Sequence, residues 1–487
     1  MIYGNMKMWI NGEWVNAESG KTFAVKNVTT GEDLGTVPLA GKADVDKAVA
    51  AARAAFPVWS GRTANQRSDL LLKMGEKLRN EFGKKEVPPL SAMEHGLPAH
   101  LAFGPDVMGA SGNFIQAGAY ARHIEGHYIP SSSDRMYMLE RVPAGVCALI
   151  TPWNLPFFLM VQKVALSLAA GCTSVLKVPS INAISSLKLA EFLSSFEELP
   201  KGAVNIITGP GSTVGTYMAE HPGIDCVGFT GSTETGVEIM KAAAPTLKKL
   251  VMELGGKNPA IIFPDANLDR AVEVLGHHQF FNCGQACGSP GRYYIHEDVF
   301  DEFLEKYLTH AKHLKVGDPL KPDSDMGPLV SKEHFDNVMK YIGSGKEQGA
   351  KLVLGGERLT GPEYDNGYFI PPTVFTDVTP DMKIYREEIF GPVAVMLKWN
   401  DEAEVMRLAE DNNYGLTASI WSKNVARALT LGKGLTVGTF SVNSHNFIAA
   451  EAPWGGVKAS GVGGREGGYQ GVLEYTVQKM TTVCLIE

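Results

Sequence analysis

Between residues 143 and 254, short β-rich runs alternate with helical stretches so regularly that few folds remain open to the chain. The runs lie at 146–150, 173–177, 204–208, 226–229 and 250–252, with helical periodicity near 160–170, 184–197, 212–220 and 233–243. Strand, helix, strand at this cadence demands right-handed crossovers and a parallel sheet covered on both faces. Ligands of such sheets bind beyond the carboxyl ends of the strands, so the residues just after each run become the candidates for function.

The flanking segments read differently. Trp9 to Val15 has the pattern of a hairpin, with Asn11-Gly12 as its tight turn. Asp44 has the character of an N-cap, followed at helical spacing by Val45, Ala48, Val49, Ala52 and Phe56. Another helix is expected around 66–79, while 85–112 mixes glycine, proline and both polarities and supports no assignment. A second α/β series starts at 260–263. It includes a helix near 299–312, a Pro- and Asp-rich linker at 319–328 and a strand at 393–397. A Gly-rich segment spans 455–471, and a last strand is expected at 476–485. At 487 residues the chain is too long for one core, and two or three domains are expected.

The formal charge of −8 comes without any basic cluster, so no nucleic acid partner is expected. The most apolar region, 146–176, is broken by Pro152, Asn154, Pro156, Gln162, Lys163 and Ser167, too often for a membrane span. The first residues lack a basic region followed by an apolar one, so no secretory leader is expected. Six cysteines scattered over this length do not make a disulfide framework, and a reducing cytoplasm is the expected setting.

In that setting Cys287 stands out. It lies in Phe281-Asn282-Cys283-Gly284-Gln285-Ala286-Cys287-Gly288-Ser289-Pro290, where small residues let a thiol and a backbone N–H approach a carbonyl together. A nucleophile activated by its neighbours is one reading, and a buried structural cysteine is the other. Cys283 competes weakly for the role. A metal site of His277, His278, Cys283 and Cys287 lacks a second ligand pair at the right spacing, so no metal is expected. Glu253 ends an apolar strand and precedes two glycines. Partly desolvated there, it would serve as a general base for water, or else form an ordinary salt bridge. Asn154 follows Thr151-Pro152-Trp153 in a loop stiffened by prolines, where its amide would hold an oxyanion or only its own turn.

Together these pieces resemble the aldehyde dehydrogenase superfamily. The resemblance rests on Pro-Trp-Asn at 152–154, Phe-Thr-Gly-Ser at 229–232, Glu-Leu-Gly-Gly-Lys at 253–257 and Gly-Gln-x-Cys at 284–287. It continues through Glu-Glu-Ile-Phe-Gly-Pro at 387–392, Asn443 and Gly-Gly-x-Lys-x-Ser-Gly at 455–461. The motifs come in the family's order across nearly the whole chain.

The resemblance implies that Cys287 attacks the aldehyde, that Asn154 and the Cys287 N–H hold the oxyanion, and that Glu253 activates the water that releases the acid from a thioester. It implies a cofactor, NAD or NADP, held by Ile150, Thr151, Trp153, Lys177, Ser180, Gly211, Phe229, Gly231, Ser232, Leu254, Glu388 and Phe390. NAD-preferring members often carry glutamate where this chain has Ser180, and serine beside Lys177 admits the 2′-phosphate of NADP. Arg292 matches a structural arginine. The segment after Gly461 is one glycine longer than the usual pattern. Phe158, Phe281 and Phe447 are expected to line an apolar channel, which favours an apolar aldehyde.

The expected architecture is α/β. A doubly wound parallel-sheet cofactor domain takes 1–122 and 143–254, and an α/β catalytic domain takes 255–470. A small β extension, 123–142 and 471–487, is expected to pair subunits into a homodimer or homotetramer. Three rivals remain: a CoA-acylating enzyme, a catalytically retired structural relative, and a cysteine protease, for which no persuasive Cys–His pair is present.

Overall fold

In the computed structural model, which describes residues 2–131, 133–445 and 449–485, the alternating segment forms the centre of an eight-stranded sheet. Five strands run parallel in the order Lys249–Glu253, Cys226–Thr230, Val146–Ile150, Thr173–Lys177, Val204–Ile207. The chain winds outward in both directions from Val146–Ile150, so a switch point falls between it and Cys226–Thr230, where a crevice opens. The strands alternate between two apolar cores. Cys147, Leu149 and Leu176 enter one with helices Pro156–Ala170 and Ala183–Ser194. Val146, Ala148, Ile150 and Val175 enter the other with helices Lys42–Ser60 and Thr233–Ala243. This is the doubly wound arrangement that the periodicity called for.

Two additions complete that sheet. The hairpin Met8–Ile10 and Glu13–Val15 extends one edge, turning through Asn11 (φ 55°) and Gly12 (φ 74°). At the other edge Gly461–Val462 pairs antiparallel with Lys249–Glu253, which brings the Gly-rich segment against Glu253. The chain then crosses in four residues, 254–257, into a seven-stranded sheet. Its order is Lys351–Leu354, Thr373–Thr376, Val393–Trp399, Pro290–His296, Asn258–Ile262, Thr417–Trp421, Thr439–Val442, parallel except for the first. The carboxyl end of one sheet thus meets the amino end of the other. Away from both, Thr476–Cys484 pairs antiparallel with Arg135–Pro143, which also pairs with His127–Ile129.

Three expectations need correction. Asp44 is not the N-cap. Gly41 occupies that position, and Asp44 sits three residues in, its carboxylate accepting from Gly41 N–H at 2.8 Å and from Glu18 N–H at 2.9 Å. Both are part-buried donors that a carboxylate near a helix start satisfies. The strand placed at 260–263 begins earlier, at Asn258, because the ladder shifts register between Asn258 and Pro259 and so accommodates a residue without an N–H. The unassigned stretch 85–112 is helical throughout most of its length, as Gly83–His95, Ala99–Phe103, a π-helical Gly104–Gly109 and the start of Ala110–Ala121. Its prolines lie inside or at the starts of these pieces, and the packing of Val87, Leu90, Ala110 and Phe114 into the core outweighs their poor propensity.

Candidate active site

A cavity of about 770 Å³ lies where the two large sheets meet. Its lining brings together Cys287, Asn154 and Glu253, which come from three separate parts of the sequence.

The Cys287 loop is set by an unusual backbone. Asn282 (φ 51°) and Cys283 (φ 57°) are both left-handed, as is Gly284 (φ 70°), at a cost of roughly 1–2 kcal/mol for each non-glycine. That reversal ends helix Leu268–Phe280 and delivers Cys287 half-buried into the cavity. Cys283 points elsewhere, its buried thiol donating to Gly327 O at 3.0 Å. Asn282 Nδ2 donates to Asn154 O at 2.8 Å, and Asn154 Nδ2 donates to Gln285 O at 3.0 Å. The Asn154 amide has two N–H groups, so one fixes it to the loop and the other is available to a substrate oxygen. Burial pushes the Cys287 thiol up to about 12, with Glu388 and Glu253 adding to the effect and the N–H groups of Gly288 and Cys287 opposing it.

Glu253 is 4% exposed, and neither carboxylate oxygen has a hydrogen-bond partner. Burial holds its carboxyl well above the usual carboxylate range. Glu466 raises it further, while Lys163, Arg465 and the backbone N–H of Gly456, a donor too poorly aimed to make a full hydrogen bond, act the other way. Room for it depends on Gly455, at φ 158°, where a β-carbon would stand 2.4 Å from Glu253 Oε1. Close by, Lys163 and Glu466 form a fully buried ion pair.

On the other side of the cavity, Trp153, Gly231, Ser232, Leu254, Glu388 and Phe390 contribute to the lining. Gly256 N–H donates to Glu388 Oε1 at 3.0 Å, and burial pushes the Glu388 carboxyl up to about 7. Phe390, left-handed at φ 56°, meets Trp153 edge to face with ring centroids 5.4 Å apart. Ser232 caps helix Thr233–Ala243, accepting from Thr235 N–H at 3.2 Å. A second, shallower groove of about 910 Å³ adjoins, lined by Gly211 and the flank of that helix. Lys177 borders it, its Nζ 4.0 Å from where a β-carbon on Gly211 would lie. Among the described residues no acceptor is paired with this buried ammonium, and burial lowers it to about 8. Ser180 Oγ donates to Gly209 O at 3.0 Å. A buried cation without a counter-charge, beside a capped helix start, fits the hydroxyl and phosphate oxygens of a dinucleotide.

The remaining expected residues divide between the lining and the layer beneath it. Ile150, Thr151 and Phe229 are buried beneath it, with Thr151 Oγ1 donating to Lys177 O at 3.3 Å and the Phe229 ring under Gly231. Phe158 and Phe281 line the cavity, and Phe447 lies outside the described residues. Arg292 is buried, donating to the carbonyls of Lys257 (3.0 Å), Leu408 (3.1 Å) and Ala409 (2.9 Å) away from the cavity.

Several lining residues escaped sequence reasoning. His334, Asn337 and Tyr341 come from helix Lys332–Glu347, Trp454 from just before the Gly-rich stretch and Glu466 from within it. Lys163 carried a signal that went unused. It is the lone charge in the apolar helix Pro156–Ala170, and a cation there needs a buried partner.

Comparison with known proteins places this geometry in context. The family model described as "Aldehyde dehydrogenase family" matches residues 14–481. An aldehyde dehydrogenase of Enchytraeus buchholzi is 41% identical over 98% of this chain and 95% of its own length. Retinaldehyde dehydrogenase 3 of Rattus norvegicus is 40% identical over 99% and 93%. Among solved structures, the NAD+ complex of an aldehyde dehydrogenase from Bacillus cereus superposes with a TM-score of 0.96 at 37% identity, covering 100% of this chain and 98% of that one. Betaine aldehyde dehydrogenase from Staphylococcus aureus, in complex with NAD+, gives 0.95 at 34%, covering 99% and 95%.

Proposed function

Because the chain belongs to the aldehyde dehydrogenase family and oxidises an aldehyde to its acid with a nicotinamide cofactor, we infer that Cys287, Asn154 and Glu253 divide that reaction among them. Cys287 Sγ attacks the aldehyde carbon. The resulting oxyanion is met by the free N–H of Asn154 and by the Cys287 amide, in a site where water is largely excluded. The bound cofactor supplies a cationic ring whose C4 accepts the hydride. The thioester left on Cys287 is then attacked by water, whose proton Glu253 takes.

The observation that supports this division most strongly is the buried Glu253 carboxylate, which has no side-chain donor on either oxygen and lies in the same cavity as a half-buried thiol. Such a carboxylate keeps lone pairs open to a water at the thioester. This also weighs against CoA as the acyl acceptor, since a thiol acceptor would leave that carboxylate without employment.

The finer reading has three parts. Phe158, Leu159, Phe281 and Trp454 make the substrate side apolar, which suits an aldehyde with an uncharged aliphatic or aromatic body. Lys177 with Ser180 accepts NADP as well as NAD. A homodimer or homotetramer in the cytoplasm suits the exposed strand Thr476–Cys484 and a chain in which no disulfide forms among the described residues.

The test is an aldehyde panel run with NAD and NADP separately, with acid and acyl-CoA measured as products in the presence of CoA. Acid from apolar aldehydes is expected, and Cys287→Ser is expected to lower oxidation roughly a thousandfold or more while cofactor still binds. Acyl-CoA as the product, or undiminished turnover by the serine variant, would overturn the assignment.

A further inference from the structure

Two alternate carbonyls of the nucleophile loop are held by one side chain. Asn258 Nδ2, at the start of strand Asn258–Ile262, donates to Cys287 O and to Ser289 O, each at 2.8 Å. Between them, Gly288 O lies 2.9 Å from His445 Nε2. His445 is fully buried and does not line the cavity.

The proton positions on His445 follow from its neighbours. A carbonyl can only accept, so Nε2 carries the proton. Nδ1 must then accept, and Ser419 Oγ stands 2.9 Å from it. That hydroxyl is in turn the acceptor for Trp421 Nε1–H at 3.2 Å. The donors therefore run in one direction, from indole to hydroxyl to imidazole to the Gly288 carbonyl. Burial, with the His278 ring 5.7 Å away, lowers His445 to about 3, so it stays neutral throughout the working range. With both ring nitrogens engaged, His445 has no lone pair left to serve as a base for Cys287.

A trans peptide presents its C=O and N–H on opposite edges. Asn258 holds the Cys287 carbonyl on one edge of that peptide, which leaves the Gly288 N–H on the other, and this N–H is one of the groups that favour the Cys287 thiolate. We propose that His445 and Asn258 are positioning residues for the nucleophile, and that by gripping the Gly288 and Cys287 carbonyls they keep the Gly288 amide aimed at Cys287 Sγ. This rests on Cys287 being the attacking group. An aimed amide stabilises sulfur most when it is a thiolate, and it works against Glu388 and Glu253, the two carboxylates that face the thiol and disfavour its ionisation. Ser419 acts one step back, holding the imidazole in the tautomer that donates.

The test follows alkylation of Cys287 by iodoacetamide as a function of pH, read by peptide mass spectrometry on the full-length protein in a Cys484→Ser background. His445→Leu is expected to slow alkylation about tenfold at pH 8 and to move the profile upward by about one pH unit, the effect of losing one well-aimed donor to an anion. His445→Gln, whose amide can reach the same carbonyl, is expected to return most of the rate. A His445→Leu profile that coincides with the parent, whatever happens to its melting temperature, would overturn the proposal, as would a glutamine variant no better than leucine. Should His445→Leu fail to fold, Ser419→Ala decides, with an upward shift expected and an unmoved profile refuting it. Aldehyde oxidation that survives Cys287→Ser would instead remove the nucleophile assignment on which the proposal stands.

Discussion

A buried carboxylate oxygen without a well-made hydrogen bond costs on the order of 1–3 kcal/mol, and Glu253 is such a group. In the proposed role that cost keeps lone pairs on the Glu253 carboxylate open toward water. Its carboxyl lies above the usual range, so the charged, basic form is gained only as pH rises. Hydrolysis of the thioester should therefore increase with pH on a limb lying above that of a free glutamate. Glu253→Gln should keep the first burst of reduced cofactor, lose that limb, and slow steady turnover by roughly 10²–10⁴-fold; stopped-flow absorbance over a pH series checks this. That Cys287, Glu253 and Asn154 were candidates could be read from the sequence because each sits beside glycines or prolines, and the fold brings all three to one cavity. Lys163 and Glu466 could not be read in this way, since they meet across a separation of 303 residues and neither has a local pattern that names the other.

Helix Pro156–Ala170 and the Gly-rich segment are tied together by that same buried pair. Breaking such a pair leaves one charge in an apolar site, whereas replacing both charges by well-packed apolar groups removes the desolvation cost along with the attraction. Lys163→Met is expected to cost about 3–5 kcal/mol and lower the melting temperature, and Lys163→Met with Glu466→Leu is expected to recover most of it. Calorimetry on the two variants separates the outcomes. The strands and helices of the central sheet could be read from the sequence to within a few residues, because buried parallel strands are continuous apolar runs. The π-helical Gly104–Gly109 and the two-residue Gly461–Val462 could not. The first depends on packing beneath Phe158, and the second exists only because a neighbouring strand edge offers it partners.

At the scale of the whole molecule, the three-stranded sheet of Thr476–Cys484, Arg135–Pro143 and His127–Ile129 leaves apolar groups outside. Met480 is 61% exposed, Tyr128 59% and Val477 42%. Isolated apolar residues on a surface need no explanation, but several on one small sheet with an open edge invite association. Met480→Asp combined with Val477→Asp should lower the mass seen by light scattering, while the far-ultraviolet circular dichroism spectrum stays unchanged. The division into two large sheets was foreseeable from chain length and from the two strand series, but their mutual placement was not. The four residues 254–257 carry the chain from one to the other, and Gly461–Val462 brings it back to the first. The proposed base and the proposed nucleophile ride on different halves, Glu253 on one and Cys287 on the other. A compound reaching across to both would act as a rivet. Its grip should make the halves melt together in a single sharper transition, with a midpoint that climbs with concentration, whereas a compound confined to one half would steady that half alone.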